Sequence, residues 1–452
     1  MAKQRVLLEF TEETPEAFGM HASSVESDSR SASEAERRLD KLAGLGVDID
    51  EDTAPVPMFK KGAYGTGLEA FSSREENADM SSSSTVVAAE VPKESLEGIE
   101  QQGVQIWPNS EMSLFASTPY DEAPSRGGVD CRPFRPGAEI ETIREILGAT
   151  SLFRRGFRGQ NIFVGILDEG VSGEHYPVVG GFSRPNAGRR PGTADVTSHG
   201  SMCAADVLIS APAARIYDYP FLGVPRSGGA LQMFQAVLNQ RRIDGTPHLT
   251  NNSYGFVGVP DPNLHPRHEV HDLNHPLHRK VREVVSSGCT TLFAAGNCGA
   301  NCPSGNCHRS GIGPGRSIHA SNSLDEVITV AAINSRNERV GYSSQGPGMF
   351  AQDKPDIASY SHIFANFGPD RPGGLVQPFD NGTSAATPVA AGVVALLLSA
   401  FPNASPAELK EALVRSAYSL GETVGFDYNH GHGAINAGAS FQYLANQHTL
   451  FA

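Results

Sequence analysis

Four polar residues of types that act together in acyl transfer stand at the ends of apolar runs in this chain. In chain order they are Asp168, His199, Asn297 and Ser384. A serine hydroxyl is a weak nucleophile until an imidazole takes its proton, and a carboxylate must orient that imidazole and stabilise its cation. An asparagine amide and a backbone N–H at a helix start can supply donors for the tetrahedral oxyanion. The four types together predict a nucleophilic serine site.

Each of these residues also has an ordinary structural interpretation when it is taken alone. An aspartate after a strand is often a turn residue, a histidine or serine before a helix is often a cap, and Gly-Asn is a frequent turn. The order Asp, His, Asn, Ser, each at an element end and each near glycine, is much less expected by chance. We therefore interpret the four as one constellation.

Alternating strands and helices from about residue 137 onward are expected to position this constellation. The predicted strands are 162–167, 213–217, 247–251, 290–295 and 326–331, and the predicted helices are 229–242, 275–287 and an apolar one that Ser384 opens. This alternation predicts a parallel sheet flanked by helices on both faces, which is an α/β fold. Catalytic groups on such sheets gather at the carboxyl ends of the strands.

The first quarter of the chain differs in charge from the rest. Of a net charge of −14 over 452 residues, residues 1–120 hold 22 acidic against 10 basic side chains, a net of −12. Such acidity argues against nucleic acid as a partner. The N-terminus shows no long apolar stretch with a cleavage site, and the apolar run after Ser384 contains Pro388, so we expect no membrane span and a cytoplasmic start, with a non-classical route if the protein is exported.

The N-terminal part reads as a small acidic α+β unit. Strands are predicted at 4–10, 85–91 and 103–107, helices at 32–43 and 93–101, and a loop at 72–84. A linker rich in proline, glycine and arginine follows. We expect the unit to cover 1–119, the linker with a processing site 120–136, and the main domain 137–452.

Four segments of the main domain resemble the signatures of subtilisin-like serine peptidases, the subtilases. They read GILDEGV, SHGS, AAGN and NGTSAATPVAAGVVALL, in the order of that family. The resemblance implies a subtilisin-like sheet and a serine endopeptidase with Asp168 as triad acid, His199 as base, Ser384 as nucleophile and Asn297 as oxyanion donor. It implies no cofactor for the chemistry and no catalytic metal. Calcium is common in the family, but no carboxylate cluster here identifies its ligands.

The resemblance also implies a substrate cleft. The segment NNSYG at 251–255 resembles the strand that pairs with substrate backbone and forms one wall of the specificity pocket. The implied substrate-binding residues are Asn252, Ser253, Tyr254, Gly255, Ala294, Ala295, Gly296 and Thr383. Three residues depart from the family pattern: Glu169 is an added carboxylate expected to raise the pKa of His199, Ser201 stands where threonine is usual, and Tyr254 stands where leucine is common.

Residues 85–115 resemble the second half of a subtilase propeptide, whose sheet packs on the enzyme and whose tail lies in the cleft. The chain is then a self-processing zymogen with its own N-terminal unit as an intramolecular inhibitor; an unrelated interaction domain is the alternative. We expect a monomer that acts on polypeptides. Two further functions stay open: a transpeptidase, macrocyclase or leader-peptide protease with the same triad, and a catalytically silent binding protein.

The cysteines and histidines outside the triad leave several interpretations. Six cysteines are too few for a disulfide scaffold, and Cys203 is expected to be a buried thiol. Cys298, Cys302 and Cys307 could form a local disulfide or packed loop, stay free, or bind metal, and their place after Asn297 suggests a redox-sensitive lid. Five histidines at 265–278 are interpreted as a solvated loop rather than a metal site.

Overall fold

The computed structural model describes most of the chain. The described residues are 3–11, 42–50, 53–59, 82–115, 129–131, 137–182, 190–221, 223–366, 380–420 and 425–449. The greater parts of the predicted helix at 32–43, loop at 72–84 and linker at 120–136 lie outside them.

An antiparallel sheet forms the N-terminal unit, in the strand order β2-β4-β1-β5 with β3 also paired to β4. Its elements are β1 (Lys3–Thr11), β2 (Asp48–Ile49), β3 (Val56–Phe59), β4 (Ser82–Pro92), α1 (Leu96–Glu100) and β5 (Gln105–Pro108). The strands predicted at 4–10, 85–91 and 103–107 are confirmed. Because strand side chains alternate between faces, Leu8 packs with Val87 and Ile99 in the core of the unit, whereas Leu7 packs with Trp107 and with Leu231 of the main domain.

A nine-stranded sheet forms the centre of the main domain, and most of its neighbouring strands pair in parallel. Its strands are β7 (Val129–Asp130), β8 (Phe163–Asp168), β9 (Val178–Gly181), β10 (Arg215–Pro220), β11 (Leu249–Asn252), β13 (Thr290–Ala294), β14 (Ile328–Ile333), β15 (Arg339–Val340) and β16 (Ile357–Tyr360). The order is β7-β15-β14-β13-β11-β8-β10-β9, with β16 also paired to β14. A separate pair joins β6 (Ser113–Leu114) to β12 (Tyr254–Gly255).

Helices cover both faces of this sheet, as the alternation of elements predicts. The helices are α2 (Ile140–Ile146), α3 (Ala149–Arg154), α4 (His199–Ser210), α5 (Ser227–Asp244), α6 (Pro276–Ser286), α7 (Thr383–Ala400), α8 (Pro406–Arg415) and α9 (Ala437–Thr449). One apolar core holds α4 and α7 against the sheet. A second core holds α5 and α6 against the opposite face. The fold is therefore an α/β sandwich of helices around a mostly parallel sheet, as the alternation of elements predicts.

Helix α7 is apolar on all sides because it is buried on all sides. It has the length and composition of a membrane span, yet 89% of it is buried inside the protein. Gly392 lets α4 approach closely, since a Cβ at this residue would lie 2.3 Å from the carbonyl oxygen of Val207. This close packing fixes the start of α7 relative to the start of α4, where Ser384 and His199 lie.

Candidate active site

The carboxyl ends of three neighbouring strands bring the predicted polar residues to one edge of the sheet. Asp168 ends β8, Ser253 follows β11, and Asn297 follows β13 by three residues. The strands β8, β11 and β13 are adjacent and parallel. Because parallel strands end at the same edge, residues far apart in the chain meet there.

Asp168 and His199 form a buried pair. The carboxylate of Asp168 accepts from His199 Nδ1, with oxygen–nitrogen distances of 2.8 and 2.9 Å. His199 is the first residue of α4, and Ser198 caps that helix by accepting from the Ser201 N–H. With Nδ1 held as a donor, Nε2 is the nitrogen that can accept a proton, and it has no hydrogen-bond partner among the described residues.

The electrostatic surroundings of His199 favour its charged form. Burial alone would lower the pKa of His199, but the charge and hydrogen bond of Asp168, with the charge of Glu169, together raise it above its ordinary value. This confirms the expected direction of the effect of Glu169. An imidazolium formed during proton transfer is therefore stabilised where it forms.

Ser384 is the second residue of α7 and is fully buried. Its hydroxyl donates to the carbonyl oxygen of Ser253 at 3.3 Å. The preceding Gly382 has a φ of +83°, a conformation that side chains other than glycine rarely adopt. Glycine thus permits the sharp entry of the chain into α7 that presents Ser384 at the helix start.

Asn297 faces the same place with a fixed orientation. Its side-chain oxygen accepts from the backbone N–H and the hydroxyl of Thr383, both at 2.9 Å. These two donors turn the NH₂ group the other way, where it donates to the carbonyl oxygen of Phe115. The Asn297 amide, which is the donor suited to stabilise an oxyanion, is therefore already hydrogen-bonded to the carbonyl oxygen of a peptide bond.

Residues 113–115 lie in the cleft as an added strand. Leu114 and Ser113 pair antiparallel with Tyr254 and Gly255, and the Phe115 N–H donates to the carbonyl oxygen of Ser253 at 3.0 Å. A Cβ at Gly382 would lie only 2.5 Å from the Phe115 carbonyl oxygen. Backbone pairing of this kind is how an extended peptide docks on a sheet edge.

The ring of Phe115 fills a pocket between two backbone walls. A Cβ at Gly255 would lie 2.6 Å from the tip of the ring, and one at Gly296 would lie 3.5 Å from it. The Asn322 amide joins the walls by donating to the carbonyl oxygens of Tyr254 and Ala294, at 2.9 and 2.8 Å. Glycine on both walls leaves room for a large apolar side chain. Sequence reasoning missed Asn322, because no local pattern marks it.

The remaining predicted substrate residues lie beside this cleft and hold its walls. The Asn252 amide donates to the Leu292 carbonyl oxygen at 3.0 Å inside the sheet, and its oxygen accepts from the Tyr254 hydroxyl at 3.1 Å. Ala295 donates to the Val330 carbonyl oxygen at 2.9 Å. The substitution of tyrosine at position 254 therefore adds a hydrogen bond within the wall.

Two disulfides settle the question of the cysteine-rich segment after Asn297. Cys298 pairs with Cys307, and Cys302 pairs with Cys131, 171 residues earlier. The local disulfide is confirmed, whereas free thiols and a metal site at these three cysteines are wrong. Cys203 is buried as expected, and burial with the nearby Asp168 raises the pKa of its thiol well above the ordinary value.

The prediction of a solvated histidine loop is wrong for its second half. His265 is exposed, but His275 and His278 are fully buried at the start of α6. Burial first, and then the neighbouring His275, lower the pKa of His278 to about 3. Apolar residues around α6 bury this stretch, which the proline-interrupted pattern did not indicate.

Within the described part of the chain, one group of three side chains has ligand atoms close enough together to hold a metal ion. Asp168, His199 and Cys203 offer ligand atoms within 4.8 Å of one another. Asp168 and His199 of this group are hydrogen-bonded to each other, which is the arrangement that proton transfer from a serine requires. Structural calcium, which is common in the family, stays an expectation without assigned ligands.

Comparison with known proteins places this geometry in context. A sequence profile of the Subtilase family matches residues 159–433. Subtilisin DY of Bacillus licheniformis is 27% identical over 313 residues, which cover 66% of this chain and 97% of that protein. Serine protease AprX of Bacillus subtilis is 27% identical over 343 residues, covering 66% of this chain and 71% of that protein.

The fold likeness extends over the N-terminal unit. The structure of fervidolysin from Fervidobacterium pennivorans, a keratinolytic enzyme related to subtilisin, matches 98% of this chain and 61% of its own length. The TM-score is 0.58 and the identity 17%, so this likeness concerns the fold alone.

Proposed function

Because the chain belongs to the subtilase family and is a serine endopeptidase, we propose that it is made as a zymogen that cuts itself after Phe115. In this proposal residues 1–115 are an inhibitory propeptide, and residues 113–115 occupy the cleft as the first substrate. The observation that carries the proposal is the hydrogen bond from the Asn297 amide to the Phe115 carbonyl oxygen.

The proposed reaction uses the geometry around that carbonyl. Ser384 Oγ attacks the Phe115 carbonyl carbon while His199 Nε2 takes the hydroxyl proton, and Asp168 holds the imidazolium through Nδ1. The oxyanion that forms is stabilised by the Asn297 amide. When the tetrahedral intermediate collapses, His199 returns the proton to the leaving amine of Ala116. Water then attacks the acyl-enzyme while His199 takes its proton, and His199 returns that proton to Ser384 Oγ as the acid product leaves.

The contact between the N-terminal unit and the main domain supports an inhibitor that stays docked. Glu269, fully buried, accepts from the backbone N–H and the hydroxyl of Ser110, at 3.1 and 2.8 Å. His275 Nε2 donates to the Pro108 carbonyl oxygen at 3.0 Å, and Arg279 donates to Glu9 at 2.6 Å. Buried polar contacts of this kind hold the tail in register, because leaving either partner unpaired is costly.

The cut that we propose lies at a different position from the one that the composition of the chain indicated. The linker at 120–136 was expected to hold the processing site, whereas the contacts of Phe115 favour the bond from Phe115 to Ala116. The pocket around the Phe115 ring further supports a preference for a large apolar residue before the scissile bond. A difference of one methylene group in such an apolar pocket is worth about 1–3 kcal/mol of discrimination between substrates.

The proposal is tested by expressing the full chain and its Ser384→Ala variant and measuring intact masses and N-terminal sequences. We expect the wild type to give a new N-terminus at Ala116 and the variant to remain whole. An equal cut in both proteins would show an external protease at work. A wild type that stays whole yet cleaves added peptides would reject self-processing while leaving the endopeptidase activity intact.

A further inference from the structure

Glu169, the residue that departs from the subtilase pattern, contacts the backbone of the histidine rather than its ring. Its carboxylate accepts from the backbone N–H of His199 at 2.5 Å, while its own N–H donates to Asp168 Oδ1 at 2.8 Å. Glu169 is thus bonded at once to both members of the Asp168–His199 pair. Its side chain is half-buried.

We propose that Glu169 is a positioning residue for His199. The Glu169 carboxylate anchors the first turn of α4 and places a second negative charge beside the imidazole. Glu169 thereby sets the acid limit of activity, which is the pH below which activity is lost. The proposal rests on the assignment of His199 as the general base in the proposed function. It concerns a residue that acts through His199 and does not touch the reacting atoms.

The anchoring half of the proposal follows from the packing of residues 168–170 against the helix start. The Ser198 hydroxyl donates to the Gly170 carbonyl oxygen at 2.8 Å. A Cβ at Gly200 would lie 2.4 Å from that same oxygen. Glu169 therefore caps a helix start that already fits closely, and its acceptor satisfies an N–H that has no partner within the helix.

The effect of the Glu169 charge follows from the position of His199 at the positive end of helix α4. The first N–H groups of a helix carry a partial positive charge, which opposes an imidazolium there. A carboxylate at the same end offsets that effect and favours the charged ring. The acid limit of activity should then lie at higher pH with Glu169 than with a neutral residue.

The other titratable groups near His199 lie on β8, on α4 and on a helix packed against α4. Asp168 faces the ring from β8, and Cys203 and Asp206 follow on α4 itself. Helix α7, packed against α4, has no titratable side chain. From α2, Arg144 bonds the Ile209 carbonyl oxygen at the far end of α4.

Two other groups belong to the loops on either side. Asp195 is exposed and accepts from Thr197, and His175 lies against the Ser172 hydroxyl at 3.1 Å. Beyond the pair partner Asp168, Glu169 is the carboxylate whose charge acts on His199.

The test is the pH profile of kcat/KM for the processed enzyme on a chromogenic peptide that carries the sequence of residues 112–115. Glu169→Gln keeps an acceptor for the His199 N–H but removes the charge. We expect its acid limb to move down by about one pH unit. Glu169→Ala removes the acceptor as well, and we expect its plateau kcat to fall roughly ten- to a hundredfold below that of Glu169→Gln.

Glu174→Gln is the matched control, because Glu174 is an exposed carboxylate in the same loop; its profile should equal that of the wild type. A Glu169→Gln profile that coincides with the wild type overturns the charge role, and equal plateaus for both Glu169 variants overturn the anchoring role.

A readout without turnover separates this proposal from the proposed function. In the full chain with Ser384→Ala, the imidazole NMR signals of His199 report its pKa directly. Glu169→Gln in that background should lower this pKa, and an unchanged value overturns the proposal. Activity that survives His199→Ala would instead reject the proposed function, whatever Glu169 does.

Discussion

The side-chain amide of Asn297 donates to the main-chain carbonyl oxygen of Phe115, although 182 residues separate them in the chain. Thr383 orients the amide from behind by donating twice to its oxygen. The oxyanion donor is thus preorganised by the residue next to the proposed nucleophile, so that no reorientation is needed when charge develops on the carbonyl.

Removing this donor should slow the chemical step more than it weakens binding. We expect Asn297→Ala to lower kcat by about 10²–10³, with a small change in KM, because the hydrogen bond strengthens as the oxyanion forms. Steady-state kinetics on the peptide of residues 112–115 measures both constants. Asn263→Ala, in an exposed turn, is the control. A loss confined to KM would contradict the role of Asn297.

Narrowing the pocket at Gly255 should change the preferred residue before the scissile bond. A Cβ there would lie 2.6 Å from the tip of the Phe115 ring and 3.1 Å from the Asn322 amide. We expect Gly255→Ala to lower kcat/KM for a phenylalanine substrate at least tenfold relative to an alanine substrate, equivalent to about 1.4 kcal/mol. The ratio of the two substrates controls for general damage, and an unchanged ratio would show that the ring binds elsewhere.

The disulfide from Cys298 to Cys307 should stabilise the loop that carries Asn297. It closes a loop with a sequence separation of 9 residues, and the Cys307 sulfur lies 3.4 Å from the Asn297 carbonyl oxygen. We expect the Cys298→Ser, Cys307→Ser double variant to lose about 2–3 kcal/mol of unfolding free energy, and also to lose turnover. Denaturant unfolding and kcat check this.

The matching double variant at Cys131 and Cys302 separates general stability from local order. It breaks the longer-range link without opening the loop after Asn297, so its kcat should fall less.

Buried Cys203 and Cys289 should not react with thiol reagents under native conditions, because burial raises the pKa of both, to about 11 for Cys289. Activity that is indifferent to reductant and to both double variants would remove the hypothesis of a redox-sensitive lid.

Acid should destabilise the folded chain through His278. Its pKa is held at about 3 by burial, whereas an unfolded histidine titrates near 6.5. Between these values the unfolded chain binds a proton that the folded chain does not, so the free energy of unfolding falls by about 1.4 kcal/mol per pH unit as pH decreases. This contribution is complete above about pH 6.5 and is lost as pH falls toward 3.

The measurement is denaturant unfolding of the Ser384→Ala chain between pH 7 and 4. His278→Gln keeps a polar side chain near the Ser321 hydroxyl and the Glu269 carbonyl oxygen, which His278 contacts at 2.8 and 2.6 Å. We expect this variant to be less stable at pH 7 but to show a flatter pH dependence. Equal slopes for both chains would mean that His278 titrates alike in the folded and unfolded states.

The amino-acid sequence by itself determined the types of the elements and the identity of the chemical groups. Hydrophobic periodicity predicted β8, β11, β13 and α7, because burial on a sheet or a helix dictates where apolar residues recur. Asp168, His199, Asn297 and Ser384 stand at the ends of these elements, within local patterns specific enough to indicate the family.

Only the tertiary structure decided which distant residues meet. The order of strands places β11 between β8 and β13, and this adjacency brings the Phe115 carbonyl oxygen to the Asn297 amide. The pairing of Cys131 with Cys302 and the burial of His275 arise in the same way. Such contacts join segments a hundred or more residues apart, and local sequence carries little information about them, because their energies depend on packing across the whole sheet.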